Sequence, residues 1–304
     1  MSSAYLLVYH GSRDPRPQLA VEKLADLVSA LLGNQYPLVG TATLELATLP
    51  LHEQIRDFAN KALEAGYHQV QLVPLFLLPG VHVMEDIPRE VTLAKRILGQ
   101  AIAIDQRPHL GSHPSMGKML ATVEADAKIV LAHGSRRRDG NQPIEAIAEQ
   151  LEAVVAYWSI QPTLAEQIQS LADAGHKSMA ILPYFLFSGT TTDAIAQKVV
   201  QLQTQFPQLE LKLREAMGAT SQLAELILEL LEKPSGHKHL PPNPPRKGGS
   251  YMISSPSFKG DLSSASARRR EAECCYAEWN KACRVSFLTF FLKGGLFCRT
   301  ALGG

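Results

Sequence analysis

The chain has 304 residues, 45% apolar and 19% charged, a balance that excludes a disordered protein and leaves room for two ordinary domains. No apolar run approaches the roughly 18 residues of a membrane span, and the N-terminus shows no basic leader before an apolar core, so neither membrane insertion nor secretion is expected. The net charge of +1 hides an asymmetry: residues 1–234 carry 19 Lys and Arg against 25 Asp and Glu, whereas residues 235–304 carry 11 against 4.

In chain order, Tyr5-Leu6-Leu7-Val8-Tyr9 is a run of apolar, β-forming residues that ends abruptly on His10-Gly11-Ser12-Arg13. That pattern predicts a buried parallel strand delivering a polar group to its carboxyl end, where ligands collect in open α/β sheets. Pro17 suits the first turn of a helix, and Leu24, Leu27, Val28, Leu31 and Leu32 continue a helical stripe until Gly33-Asn34 stops it. Ser12 reads as a cap for that helix rather than a nucleophile, because no Gly-x-Ser-x-Gly elbow surrounds it. Residues 38–46 read as a strand ending near Glu45, residues 50–65 as a helix closed by Gly66, and residues 69–78 as a third strand followed by Pro79-Gly80-Val81-His82. A helix from about Met84 to Leu98, a short strand over residues 101–104 and a helix starting at Leu110-Gly111-Ser112-His113-Pro114 complete the unit. Strands alternating with helices predict a parallel sheet covered on both faces.

The opening motif recurs. Ile129-Val130-Leu131-Ala132-His133-Gly134-Ser135-Arg136 repeats the strand and its corner, and Pro74-Leu75-Phe76-Leu77 matches Pro183-Tyr184-Phe185-Leu186. The chain therefore reads as a tandem duplication: one repeat over residues 1–122, a second over 123–233, and a basic tail over 234–304. The tail opens on a Pro-rich segment, is expected to be disordered, and holds all four cysteines, Cys274, Cys275, Cys283 and Cys298. A cysteine-free body fits a reducing cytoplasm.

Three polar side chains fall at successive strand ends of the first repeat: His10, Glu45 and His82. Two imidazoles and one carboxylate at one rim can bind a borderline divalent ion such as Fe2+, Co2+ or Ni2+ and can accept protons near neutral pH. In the second repeat His10 keeps its partner His133, but Glu45 falls on Trp158 and His82 on Thr191. The scaffold was kept twice and the full donor set once, which marks the triplet as functional. His52, His68 and His176 read as solvated, and His109 and His113, which flank Gly111, carry less weight than the triplet, with one of them facing the cleft as the less favoured reading. Arg13, Arg16, Arg89, Arg136, Arg137 and Arg138 flank the strand ends, either as solvated surface or as receivers of an acidic ligand's carboxylates. A phosphate-binding domain is disfavoured, since no Gly-rich loop follows either first strand.

Taken together, His-Gly-Ser-Arg after the first strand, Leu44-Glu45, residues 74–82, Asp86-Ile87-Pro88 and Leu110-Gly111-Ser112-His113-Pro114 resemble the sirohydrochlorin chelatases, class II chelatases related to protoporphyrin ferrochelatase. The resemblance covers about residues 4 to 232 and looks like the long form with two chelatase-like (flavodoxin-like) domains, the second inactive. It implies ATP-independent insertion of Fe2+ or Co2+ into sirohydrochlorin, for siroheme or cobalamin synthesis. By the same resemblance His10 and His82 bind metal and take up pyrrole protons and Glu45 assists as ligand or proton acceptor; Arg13, Arg136, Arg137 and Arg138 are expected, from their charge and place by the strand ends, to hold the substrate's carboxylates. The expected partners are the tetrapyrrole polycarboxylate and the ion, with no tightly bound cofactor, no nucleic acid and no membrane, and the expected state is a cytoplasmic monomer. Iron–sulfur ligation by the tail is disfavoured, because its cysteines show no Cys-x-x-Cys spacing. A non-catalytic metal or tetrapyrrole carrier is the alternative.

Overall fold

A computed structural model describes residues 3–33, 37–120, 124–137 and 139–232, all within the compact unit Met1–Lys238. The expected tail and Arg138 lie outside the described residues. The first repeat runs β1 (Ser3–Tyr9), α1 (Pro15–Leu32), β2 (Val39–Thr43), α2 (Leu51–Glu64), β3 (Gln69–Pro74), α3 (Ile87–Leu98) and β4 (Ala103–Gln106). The second runs β5 (Ala127–Ala132), α4 (Gln142–Gln150), β6 (Val154–Tyr157), α5 (Leu164–Asp173), β7 (Ser178–Pro183), α6 (Thr190–Gln205), β8 (Glu210–Leu213) and α7 (Ser221–Glu232). Each repeat forms a four-stranded parallel sheet, ordered β2-β1-β3-β4 and β6-β5-β7-β8. The strand order therefore reverses around β1 and around β5, which places a switch point beside each His-Gly-Ser corner. No helix among the described residues is long and apolar enough to cross a membrane.

The central strand is buried on both faces, and its alternation divides two cores. Ala4, Leu6 and Val8 point to an outer core with Leu51 and Ile55 of α2 and Ile87 and Val91 of α3. Leu7 and Tyr9 point the other way, into a core that both repeats share. There Val21, Leu24 and Val28 of α1 lie in one cluster with Leu223, Ile227 and Leu230 of α7, and with Val130, Ala132 and Leu182 of the second sheet. The last helix of the second repeat thus packs against α1 of the first. Between the repeats the exchange runs the other way, since the turn Met116–Met119 packs on α4.

The helix expected from Leu110 does not form; two single 3-10 turns, Leu110–Ser112 and Met116–Met119, stand in its place. Gly111 is pressed against the first repeat, where a β-carbon would lie 1.9 Å from the Leu77 carbonyl oxygen. Pro114 then lacks the N–H a helix would use and disfavours helical backbone before it. The inner face this segment leaves uncovered is taken by α7.

Polar groups lock α7 in place. Arg107, 4% exposed, donates to the Leu230 carbonyl from Nε and Nη2 (3.1 and 2.6 Å) and to the Leu231 carbonyl (3.1 Å). It also pairs with Asp105 at 3.0 Å. A cation on the orphan carbonyls of a helix C-terminus satisfies them and complements the helix dipole. His113 is buried against Glu229 (3.0 Å), and its Nδ1 accepts the Ser115 N–H, so Nε2 carries the proton donated to the carboxylate. Because the repeats share one core, denaturant should unfold residues 1–233 in a single transition, with Arg107→Met lowering its free energy by about 3 kcal/mol. Two separated transitions would show that the shared core does not couple the repeats.

Candidate metal centre

Three strand ends converge because the ladder continues past β2. Leu44 N–H donates to the Tyr9 carbonyl (2.8 Å) and Glu45 N–H to the His10 carbonyl (2.9 Å), which sets Glu45 beside His10. Gly11 makes this approach possible: its φ is +96°, and a β-carbon there would lie 2.1 Å from the Glu45 carbonyl oxygen. Leu46, at φ +62°, then turns the chain away. His82 opens a π-helical turn, His82–Asp86, that runs into α3.

The result is a cluster. One ligand atom each of His10, Glu45 and His82 lies within 4.8 Å of the others, the one such group of three among the described residues. His10 Nε2 is 3.9 Å from Glu45 Oε2, and the two imidazoles meet edge to face with centroids 4.9 Å apart. Donors around one ion at about 2.1 Å sit roughly 3–4 Å from each other, so small side-chain rotations close the set. Both rings are oriented for it. His10 Nδ1 donates to the Gly11 carbonyl (3.1 Å) and His82 Nδ1 to Asp86 Oδ2 (2.9 Å), which leaves each Nε2 with a free lone pair. Arg89 in turn reaches Asp86 at 3.2 Å. All three donors remain partly open to solvent, with side-chain exposures of 51%, 40% and 35% for His10, Glu45 and His82, so positions on an ion would stay free for exchange.

His10 and His82 line a cleft of about 400 Å³ between the repeats, in the range of small-molecule sites. Its walls are residues 75–78 and Val83 on one side and residues 132–135 and 184–186 on the other. Apart from the histidines, Ser135 and Tyr184 the lining is apolar, and Phe76 lies 6.4 Å from His10 and 6.1 Å from His82. His133 stands on the far wall. Its imidazole is held below its ordinary pKa, first by burial and then by His10 across the cleft, so it favours the neutral form.

The backbone amends the match between repeats. Trp158 N–H donates to the Ala132 carbonyl and Ser159 N–H to the His133 carbonyl, the bonds that Leu44 and Glu45 make in the first repeat. Ser159, not Trp158, therefore stands where Glu45 does, and its hydroxyl is spent on the His133 carbonyl (2.8 Å).

Other expectations fare differently. Neither His109 nor His113 lines the cleft; His113 is part of the α7 lock. His52 is not simply solvated, for its ring bonds Glu90 at 2.7 Å. Ser12 accepts from Asp14 N–H, while Asp14 itself caps α1. Arg16 grips Asp14 (2.6 Å) and Asp193 of α6 in the second repeat (2.5 Å), holding both carboxyls below their usual range. Arg137 meets Glu85 at 3.6 Å. Arg13 and Arg136 are exposed and have no ion-pair partner among the described residues; none of these arginines lines the cavity. Asp86 stood in the Asp86-Ile87-Pro88 motif, but its role toward His82 was legible only as an acid four positions on, one helical turn away.

The family model described as CbiX matches residues 4–127 and again residues 127–233. The chain is 27% identical over 252 residues to the sirohydrochlorin cobaltochelatase of Priestia megaterium, covering 75% of this chain and 78% of that one. To the sirohydrochlorin ferrochelatase of Bacillus subtilis it is 25% identical over 227 residues, covering 69% and 84%. Among solved structures, SirB from Bacillus subtilis with Fe3+ has the same fold, with a TM-score of 0.64 at 22% identity over 76% of this chain and 94% of that one. With the family's pattern present twice across residues 4–233 and one donor cluster at the rim of the first copy, the chain belongs to the CbiX family.

Proposed function

We propose that this chain is a sirohydrochlorin chelatase that inserts Fe2+ or Co2+ into sirohydrochlorin without ATP, the ion being a substrate rather than a resident cofactor. The observation that carries this reading is the gathering of His10, Glu45 and His82 in one cluster whose two histidines line an apolar cleft. Insertion exchanges two pyrrole protons for one divalent ion. A catalyst therefore needs donors that bind the ion loosely, bases that collect the protons, and a slot that holds a flat ring against both. The open triad supplies the first two. Imidazole and carboxylate suit iron and cobalt alike, consistent with relatives named for either metal.

The cleft binds the macrocycle between its apolar walls. Arg13, Arg136, Arg137 and Arg138 take the peripheral carboxylates, which a net-acidic body could not otherwise attract. One chain provides both walls, so the unit acts as a monomer, in the cytoplasm, with neither nucleic acid nor membrane as partner.

Incubating the protein anaerobically with sirohydrochlorin and each metal, and following the absorbance change, tests the reading; binding without turnover would favour a carrier. His10→Ala or His82→Ala should lower turnover at least about a hundredfold while circular dichroism stays unchanged, because both rings sit at an open rim. Asp86→Asn should weaken Co2+ binding about 10- to 100-fold through loss of ring orientation, a change read by metal titration. Replacing Arg136 and Arg137 together by Gln should raise KM for the tetrapyrrole about tenfold with turnover number kept. Unchanged KM at low ionic strength would make that run a solvated loop.

A further inference from the structure

Three histidines among the described residues line the cleft, His10, His82 and His133, and only the first two belong to the donor cluster. The backbone places His133 on the second wall where His10 stands on the first. Ser159 N–H donates to the His133 carbonyl as Glu45 N–H does to that of His10, and Tyr184 N–H to the Leu131 carbonyl as Leu75 N–H does to that of Val8. The His133 side chain is open to solvent, and its ring has no hydrogen-bond or ion-pair partner among the described residues. Neither packing nor bonding within the chain calls for an imidazole there. The metal centre does. His10 Nδ1 donates to the Gly11 carbonyl and His82 Nδ1 to Asp86, so each ring has a single lone pair, at Nε2. A lone pair spent on an ion takes no proton, and both rings become bases only as the ion leaves them.

We propose that His133 is a catalytic base of metal insertion, taking the first pyrrole proton from the face of the tetrapyrrole opposite the ion. The inference rests on the chelatase reading and adds a reacting group from the second repeat. A macrocycle between the two walls turns one face to the triad and the other to His133. As the ion approaches from the triad, the pyrrole N–H tilts toward the far face, because the nitrogen's electrons are drawn to the near one. That N–H bond breaks, its electron pair stays on the nitrogen and binds the ion, and the proton passes to the free lone pair of His133. Its preference for the neutral form leaves that lone pair available. The second proton goes to a triad imidazole that the ion has by then left, and both protons are lost to solvent. No electron is transferred, and the ion stays divalent.

The test uses the full chain with His133→Ala, and with His133→Gln alongside, which fills the space without a basic lone pair. Co2+ and metal-free sirohydrochlorin are titrated separately, and Co2+ insertion is followed by absorbance in a single turnover, with and without added imidazole. The expected result is an insertion rate lowered about a hundredfold in both variants, with Kd values for Co2+ and for sirohydrochlorin within about twofold of the parent's. Imidazole should raise the rate of the Ala variant and leave the Gln variant and the parent unchanged. An insertion rate equal to the parent's overturns the proposal. A weaker Co2+ affinity overturns it too, by making His133 a donor to the ion, and so does a loss explained wholly by weaker sirohydrochlorin binding. Failure of the parent chain to insert either metal overturns the chelatase reading and this inference with it, and that outcome is seen before any variant is measured.

Discussion

Everything at the cleft depends on the core that the two sheets share. α1 and α7 lie between the repeats, and their apolar faces cannot be buried within either repeat alone. Leu7 and Tyr9 of β1 and Val130 and Ala132 of β5 feed the same cluster, so the strand ends carrying His10 and His133 are held at a fixed separation. Burial of this kind is worth roughly 25 cal/mol per Å² of apolar surface, far more than any single ion pair across the mouth could supply. The Arg107 cap and the His113–Glu229 bond then fix the register of α7 rather than its affinity, since buried charge is more useful for specifying one arrangement than for adding stability.

Given that frame, the chemistry is asymmetric by few changes. Both repeats keep the positive-φ glycine after the histidine, at +96° for Gly11 and +88° for Gly134, and both extend their ladder two residues past the second strand. What differs is the side chain on that shared backbone: a carboxylate on one side, a hydroxyl turned onto the His133 carbonyl of the neighbouring strand end on the other. The first repeat presents two imidazoles and a carboxylate in one cluster; the second presents a neutral imidazole, a buried phenol and an apolar wall. Duplication thus provides the two faces that a flat substrate needs, and divergence assigns them different work.

Much of this was legible in the residues. Strands β1 and β5 could be read because a strand buried on both faces is a continuous apolar run, and the gathering of His10, Glu45 and His82 because parallel strands discharge their polar residues at one rim. The helix expected from Leu110 was not legible as a pair of short turns, because the reason is tertiary: the close approach of Gly111 to the Leu77 carbonyl. The match of Glu45 to Trp158 slipped by one residue because side-chain similarity cannot see ladder hydrogen bonds. The bond of His113 to Glu229 was not legible, since the partner lies 116 positions away. Tyr184 was aligned correctly with Leu75, yet nothing in the pairing revealed that its hydroxyl would be buried alone.

The central claim is that His10, Glu45 and His82 together hold the ion that enters the macrocycle. The most direct measurement is cobalt X-ray absorption on the protein loaded with a single equivalent of Co2+ before any tetrapyrrole is added. The account predicts nitrogen and oxygen donors only, with outer-shell scattering from two imidazole rings that falls to one ring in His10→Ala and in His82→Ala. A spectrum of the hydrated ion, or imidazole scattering that survives both replacements intact, would contradict it.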